Sequence, residues 1–232
     1  MRFESKLLIG HCLRRYKRFL VDVEMEEGER ITAHCPNPGS MRTSLRSGWR
    51  VALSERRTPG RRLPWTLELS HNHRCWIGLN TTRANAIVRE ALELNRIPEL
   101  TGYQSIQPEV PYNRSRLDFL LSKHNRRRDC FLEIKSVTHK IGRSYAFPDA
   151  RTERGRRHLS ELGQIRREKQ RAVLLFLVQR SDGDDFRAAE EVDPEYARAL
   201  RQAHRAGVEM LVYGTRTGLR GIELTAPIPL TI

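Results

Sequence analysis

Short runs of alternating apolar and polar residues fill the first third of the chain. The run at residues 19–25 stops at the Glu27-Gly28 turn, and Phe19 is expected to start its core-facing side. A second run, 31–35, ends at a Pro-Asn-Pro-Gly segment that breaks the strand. Further candidate strands follow at residues 49–53, 65–69 and 75–79. Short strands packed this closely predict a small β-barrel of the oligonucleotide-binding (OB) type.

The periodicity changes near Thr82, which is predicted to cap an amphipathic helix. We therefore divide the chain into an OB-like barrel, 1–81, and a second domain, 82–232. In the second domain strands and helices alternate, which predicts an α/β domain with a mixed sheet and an α+β chain overall. The predicted elements are a strand at 106–110, a hairpin at 116–137, a helix at 152–168, a buried strand at 172–178, a helix between Asp193 and Gly207, and a strand at 208–213.

The hairpin at 116–137 separates its residues into an apolar set and a charged set. If the polar loop 122–129 joins the strands symmetrically, opposite residues have numbers that sum to 251, which places Asp118 opposite Glu133. Two carboxylates at that separation repel each other unless a cation lies between them. Mg²⁺, or Mn²⁺ in its place, suits such a pair because it binds oxygen ligands and keeps several waters.

Lys135 lies on the same face as Glu133 and is predicted to assist catalysis by orienting a water or by offsetting charge on a phosphate. Arg116 is expected opposite Lys135. The alternative is a solvent-facing hairpin on which these four charges form only weak surface pairs.

Composition points to a polyanionic partner. The 232 residues include 42 Lys and Arg against 28 Asp and Glu, a net charge of +14, and 38% hydrophobic residues are enough to form a core. Arginine is spread along the whole chain, unlike the local basic segments that bind membranes. The absence of a long apolar run or a secretory signal predicts a cytoplasmic protein.

Cysteine and histidine spacing gives little support for a structural metal. The four cysteines form no C-x-x-C pair, which argues against a disulfide framework and a zinc ribbon. His71, His73 and Cys75 alternate as on one face of a strand, so an ordinary polar strand face is favoured over a metal site.

Three groups of residues are candidates for nucleic-acid contact. The segment Arg15-Tyr16-Lys17-Arg18 mixes cations with an aromatic ring, as phosphate contact and base stacking require. His34 and Asn37 flank a tight turn whose amides could meet a phosphate, although turn chemistry explains Asn37 equally well. Around the predicted active site, the basic candidates are Arg116, Arg151 and Arg154, which a solvated surface also explains.

Several motifs together resemble the sugar fermentation stimulation protein A family. They lie in the family's order along essentially the whole chain: Arg15-Tyr-Lys-Arg-Phe-Leu-Val-Asp-Val23, His34-Cys-Pro-Asn-Pro-Gly-Ser-Met41, Ser115-Arg-Leu-Asp-Phe119, Glu133-Ile-Lys-Ser-Val-Thr138, Phe147-Pro-Asp-Ala-Arg-Thr-Glu-Arg-Gly155 and His158-Leu-Ser-Glu-Leu162. The resemblance implies an OB-type barrel, a PD-(D/E)-x-K nuclease-like second domain, DNA binding and a link to sugar-utilisation genes.

The resemblance also implies roles for individual residues. Asp118, Glu133 and Lys135 match the nuclease motif, the carbonyl of Ile134 is a further metal ligand, and Glu90 matches an extra acid that some such nucleases use. Two departures are visible: Pro38 replaces the usual threonine, and Pro108-Glu109 replaces a clearer Pro-Asp pair.

The leading hypothesis is a Mg²⁺-dependent nuclease that binds DNA largely without regard to sequence. The main alternative is a non-catalytic DNA-binding protein or a regulator linked to sugar utilisation, although no clear helix-turn-helix is visible. RNA or ribosome binding is a weaker alternative because no RNP-type aromatic motif is present. The sequence leaves the oligomeric state open, with a homodimer as one alternative.

Overall fold

The computed structural model of the protein describes residues 1–56, 60 and 62–232. The barrel strands are β1 (Leu8–Tyr16), β2 (Leu20–Met25), β3 (Arg30–His34), β4 (Arg50–Glu55), β5 (Trp65–His71) and β6 (Trp76–Gly78). They form a sheet in the order β3-β2-β1-β4-β5-β6, and a parallel contact between His34 and Thr66 joins β3 to β5. Strands β1–β5 therefore form a closed barrel, which confirms the predicted OB-like architecture.

Strand β1 is the barrel strand that the sequence pattern did not predict. Its buried inward positions include Gly10 and Cys12, and its pairing with β2 is irregular between Cys12 and Arg14. A β-carbon at Gly10 would lie only 2.6 Å from Val23 Cγ1, so the close approach of β2 requires glycine there. Small inward residues and a bulge hide the usual alternation of large apolar and polar side chains.

The second domain is built on a six-stranded mixed sheet. Its strands are β7 (Ser105–Tyr112), β8 (Ser115–Ser122), β9 (Cys130–Val137), β12 (Arg171–Val178), β14 (Glu209–Gly218) and β15 (Gly221–Pro227), in the order β15-β14-β12-β9-β8-β7. A smaller sheet has the order β10-β11-β13-β16 and consists of β10 (His139–Ile141), β11 (Ser144–Phe147), β13 (Asp185–Ala188) and β16 (Leu230–Thr231). The sequence pattern missed the smaller sheet and β15.

Three helices cover the large sheet: α1 (Ala84–Glu93), α2 (Glu153–Arg167) and α3 (Pro194–Arg205). The predicted starts of α2 and α3 are correct, because Thr152 caps α2 and Asp193 accepts a hydrogen bond from the N–H of Tyr196. The predicted cap of α1 is wrong. Asn80, not Thr82, accepts the capping hydrogen bond, because a short 3₁₀ helix at Thr81–Arg83 precedes α1.

Three hydrophobic cores hold these layers together. One fills the barrel, and another lies between the large sheet and the pair α2 and α3. The remaining core joins Ala52 and Leu69 of the barrel to α1 and to the other face of the large sheet. The barrel and the second domain therefore share one continuous core. Within the part of the chain that the structure describes, no helix is long and apolar enough to cross a bilayer.

A buried ion pair also connects the two parts of the chain. Arg180 and Asp182 are both almost fully buried and are joined at 2.7 Å. Arg180 also donates to the carbonyl of Thr43 in the barrel, while Asp182 accepts from Asn72 in the barrel and from Lys140 in the smaller sheet. Removing the carboxylate would leave two buried cations without their shared acceptor.

We predict that Asp182→Ala lowers the free energy of unfolding by about 3–5 kcal/mol, because breaking a buried pair leaves an uncompensated charge. The matched control is Asp184→Ala in the same turn, because Asp184 and its partner Arg143 are both largely exposed. The control should lose much less stability, because an exposed ion pair is screened by solvent. Urea denaturation measures both; equal losses would show that the buried pair does not stabilise the domain contact.

Candidate functional site

The candidate site forms where the β-ladders around β8 become irregular. Strands β8 and β9 pair at Phe119 with Leu132 and at Leu121 with Cys130, which is the register predicted from the sequence. The regular backbone pairing of β8 with β9 ends before Asp118. There the carboxylate of Asp118 accepts a hydrogen bond from the N–H of Ile134 at 2.7 Å. On the other side of Asp118, strand β7 contains Glu109 in a left-handed conformation with φ of 57°.

Asp118 is a half-buried carboxylate held by two donors. Its second oxygen accepts from the side-chain amide of Asn85 on α1 at 2.8 Å. Burial, followed by the nearby charge of Glu133, raises the pKa of Asp118 to about 6. The fold therefore keeps Asp118 in a position where its negative charge is unfavourable, although both donors favour the charged form.

Glu133 is more deeply buried, and both of its hydrogen-bond partners contact the same carboxylate oxygen, Oε1. Its side chain is only 4% exposed, and Oε1 accepts from Lys135 Nζ at 2.7 Å and from Nδ1 of His158. Burial acts to raise the pKa of Glu133, but Lys135 and His158 outweigh it and hold the pKa below its ordinary value. Among the residues that the structure describes, Oε2 of Glu133 is a buried atom without a hydrogen-bond partner.

His158, like Asn85, is a residue of this site to which the sequence pattern assigned no role. It is buried on the sheet-facing side of α2, and its Nε2 lies 3.3 Å from Arg154 Nε, which donates to it. That contact makes Nε2 the acceptor and leaves Nδ1–H to donate to Glu133, a tautomer assigned from the hydrogen-bond network. The sequence signal was a histidine next to the apolar Leu159 within the predicted helix at 152–168.

These side chains open into a cleft of about 740 Å³ between the barrel and the second domain. Arg18, Asn37 and Gly39 line the barrel side, and Asp118, Glu133 and Lys135 line the sheet side, with Arg151, Arg154 and His158 also in the wall. The walls are tied together by Asp149, which accepts the N–H of Met41 at 3.2 Å and packs against Gly39. A cleft with two buried acids and a basic wall can hold a cation beside a polyanion.

Comparison with known protein families identifies the family of this chain. The family model described as "SfsA N-terminal OB domain" matches residues 13–79, and the model described as "Sugar fermentation stimulation protein RE domain" matches residues 82–221. The chain belongs to the sugar fermentation stimulation protein A family. The predicted family resemblance is therefore confirmed.

Relatives in this family align over nearly their whole length. The sugar fermentation stimulation protein homologue of Pelobacter propionicus is 46% identical over 97% of this chain and 98% of its own. That of Geotalea uraniireducens is 48% identical, with 98% of each chain covered. The solved structure of Pyrococcus furiosus SfsA in complex with Ca²⁺ has a TM-score of 0.91 and 26% identity, covering 100% of this chain and 98% of that one.

Glu90 does not lie at the site, although the family resemblance suggested it as a further acid. The structure places its carboxylate in an ion pair with the N-terminal amine of Met1, in a separate cleft that Arg96 and Arg216 also line. Glu90 lies on the face of α1 that points to the N-terminal segment, whereas Asn85 of the same helix points to Asp118. The structure therefore contradicts the expectation that Glu90 is a further acid of the candidate site.

The predicted DNA-contact residues divide into two groups. The structure brings Arg18, Asn37, Arg151 and Arg154 to the cleft. Arg15 instead donates to the carbonyls of Arg18, Asn37 and Ser40, so it holds the barrel turns that form the cleft wall. The other four predicted residues do not line the cleft. The hydroxyl of Tyr16 donates to Asp22, and Lys17 lies in a turn with φ of 44°. His34 is half-buried, and Arg116 is exposed and pairs with Glu109.

Phe19 differs from its expected role. Its side chain is 41% exposed, so it does not begin the core-facing side of β2. It lies just before β2, with the guanidinium of Arg18 5.9 Å from its ring and His34 6.4 Å away. An exposed ring beside an arginine of the cleft wall is available for contact with a ligand.

The acidic pair fits a hard divalent cation that keeps part of its water shell. Within the described part of the chain, no group of three or more His, Cys, Asp and Glu side chains could form a closed metal cage. Mg²⁺ needs only one or two carboxylates, because water and substrate oxygens complete its coordination. The unpartnered Oε2 of Glu133 is an oxygen that such an ion could bind without breaking a hydrogen bond.

We predict that Asp118→Asn raises the free energy of unfolding when metal is removed with EDTA. The folded-state pKa of about 6 exceeds that of an exposed aspartate, so wild-type stability falls as pH rises from about 4 through 6. The variant lacks this loss and should gain roughly 1–3 kcal/mol at pH 7.

Urea denaturation at several pH values measures the difference. Asp22→Asn is the control with the opposite sign, because the hydrogen bond from Arg14 lowers the pKa of Asp22 and its stabilisation is present above the ordinary aspartate pKa. A pH-independent difference for Asp118→Asn would contradict the assignment of Asp118 as an unfavourably buried charge.

Proposed function

We propose that this protein binds DNA and hydrolyses its phosphodiester bonds with a divalent cation, Mg²⁺ or Mn²⁺, held by Asp118 and Glu133. The observation that carries the proposal is a half-buried carboxylate, Asp118, beside a buried one, Glu133, which has one unpartnered oxygen; both open into a basic cleft. A carboxylate in a cleft whose pKa is raised by burial and a nearby like charge is a candidate for a functional role.

The ligands of the cation would come from both strands of the hairpin. Asp118 and Glu133 would supply carboxylate oxygens, and the main-chain carbonyl of Ile134 is the further ligand that the family motif suggests. When bound, a cation of this kind activates water and offsets charge on a phosphoryl oxygen. The Ca²⁺ complex of the Pyrococcus furiosus relative supports a site for an oxygen-binding dication in this fold.

Lys135 and His158 have separate roles in this proposal. Lys135 borders the cleft and its ammonium contacts Glu133, so it is the nearest cation to a phosphate that approaches the acids. His158 is a positioning residue, because it lies behind Glu133 and fixes Oε1, which directs Oε2 away from the histidine.

DNA binding rests on charge and on the cleft wall. A net charge of +14 attracts a polyanion, and Arg18, Arg151 and Arg154 bring that charge to the acids. These side chains suit phosphate contacts, which carry no sequence information, so binding should be largely independent of base sequence.

One set of reactions separates catalysis from binding alone. With Mg²⁺, the wild-type protein should nick plasmid, branched or single-stranded DNA, and EDTA should stop the reaction. Asp118→Asn and Glu133→Gln should each lower the rate by more than about 100-fold, because a lost metal ligand removes several kcal/mol of transition-state stabilisation. Both variants should still bind DNA.

Glu90→Gln is the matched control, because it removes an acid that the structure places in a different cleft. It should cut like the wild type. Intact DNA under every condition, with binding retained, would favour the alternative of a non-catalytic DNA-binding protein or regulator.

A further inference from the structure

A second surface with aromatic and basic side chains lies on the barrel, away from the cleft. We define the tryptophan patch as Arg46, Trp49, Arg50, His71, His73 and Trp76. Strand pairing aligns Arg50 with His71 and His71 with Trp76, so these three side chains form a row across β4, β5 and β6. None of the six belongs to the residues that the structure shows lining the cleft.

The rings of the patch are fixed in place but not covered. Trp76 packs against the core shared by the two domains, Trp49 packs against the barrel core, and both indoles are half-buried. His71 contacts Trp76 with ring centroids 4.9 Å apart, and His73 meets Trp49 edge-on at 6.3 Å. Anchored rings lose little conformational entropy when a flat ligand stacks on them.

Within the described residues, the arginines of the patch have no acidic partner. Among the described ion pairs, none involves Arg46, Arg50 or the neighbouring Arg74, and all three side chains are exposed. The guanidinium groups of Arg46 and Arg50 lie 5.7 and 5.8 Å from the centroids of Trp49 and Trp76. These distances are near the limit of about 6 Å for a cation–π contact, so the arginines can turn to phosphates at little cost.

We propose that the tryptophan patch binds single-stranded nucleic acid by stacking bases on Trp49 and Trp76 while Arg46 and Arg50 contact phosphates. Aromatic rings interleaved with cations are the combination that single strands need, because the faces of their bases are accessible. A duplex offers phosphates but hides those faces. A membrane surface would favour exposed aliphatic side chains, whereas the exposed large hydrophobic residues of the described chain all lie outside the patch.

This surface is independent of the proposed cleavage. It would hold a single strand whether or not the cleft cuts DNA. Asp118→Asn therefore separates the two proposals, because it should abolish cleavage and leave patch binding unchanged.

Tryptophan fluorescence tests the patch directly, because two of the three tryptophans belong to it. Trp65→Phe provides a background in which only Trp49 and Trp76 report. Titration with a 20-nucleotide oligothymidylate should quench their emission, and a duplex of the same length should quench it much less. Trp76→Ala in this background should weaken binding about 5- to 150-fold, the effect of one lost stacking contact.

A second variant avoids any loss of buried contacts. The double variant Arg46→Gln/Arg50→Gln should weaken oligothymidylate binding and lower the magnitude of its log–log salt slope by about 1.4, since each phosphate contact contributes about 0.7. Arg198→Gln is the matched control, an exposed arginine on α3. The proposal is overturned if oligothymidylate gives no quenching, if duplex or anionic vesicles quench equally, or if the double variant binds as tightly as the control.

Discussion

The candidate site depends on one constraint: a half-buried carboxylate, Asp118 on β8, lies beside a buried one, Glu133 on β9. Burial and like charge make this arrangement unfavourable, and the chain offsets the cost unevenly. Glu133 accepts hydrogen bonds from Lys135 and His158, which stabilise its charge. Asp118 accepts hydrogen bonds from neutral donors, the side-chain amide of Asn85 and the N–H of Ile134. The result is an ionised acid next to one whose ionisation is unfavourable, which is the electrostatic setting in which a bound dication stabilises both.

The rest of the fold keeps this pair in place and open to the cleft. Strand β12 pairs in parallel with β9 and is buried throughout Ala172–Val178, so the strand that carries Glu133 has a rigid neighbour. Helix α2 brings His158 to one side of the sheet, and α1 brings Asn85 to the other. The buried Arg180–Asp182 pair and the contact of Asp149 with the barrel hold the barrel turns over the acids. Both parts of the chain are therefore needed to form the cleft.

The sequence predicted those features that depend on local periodicity and on turn chemistry. The hairpin register, the buried strand, the start of α2 and the cap of α3 are of this kind, because each follows from a few neighbouring residues. Features that depend on tertiary contact were missed or misplaced. Strand β1 is hidden by Gly10 and Cys12, Phe19 is exposed rather than core-facing, and Glu90 is turned toward Met1. The role of His158 depends on the packing of α2 against Glu133, which the sequence pattern does not specify.

The most direct test of the account is crystallography of the protein soaked in Mn²⁺, with data collected at a wavelength where manganese scatters anomalously. The account predicts a single anomalous peak roughly 2.0–2.2 Å from a carboxylate oxygen of both Asp118 and Glu133. A peak elsewhere, or none between these two residues at saturating Mn²⁺, would contradict the claim that the buried pair is a metal site.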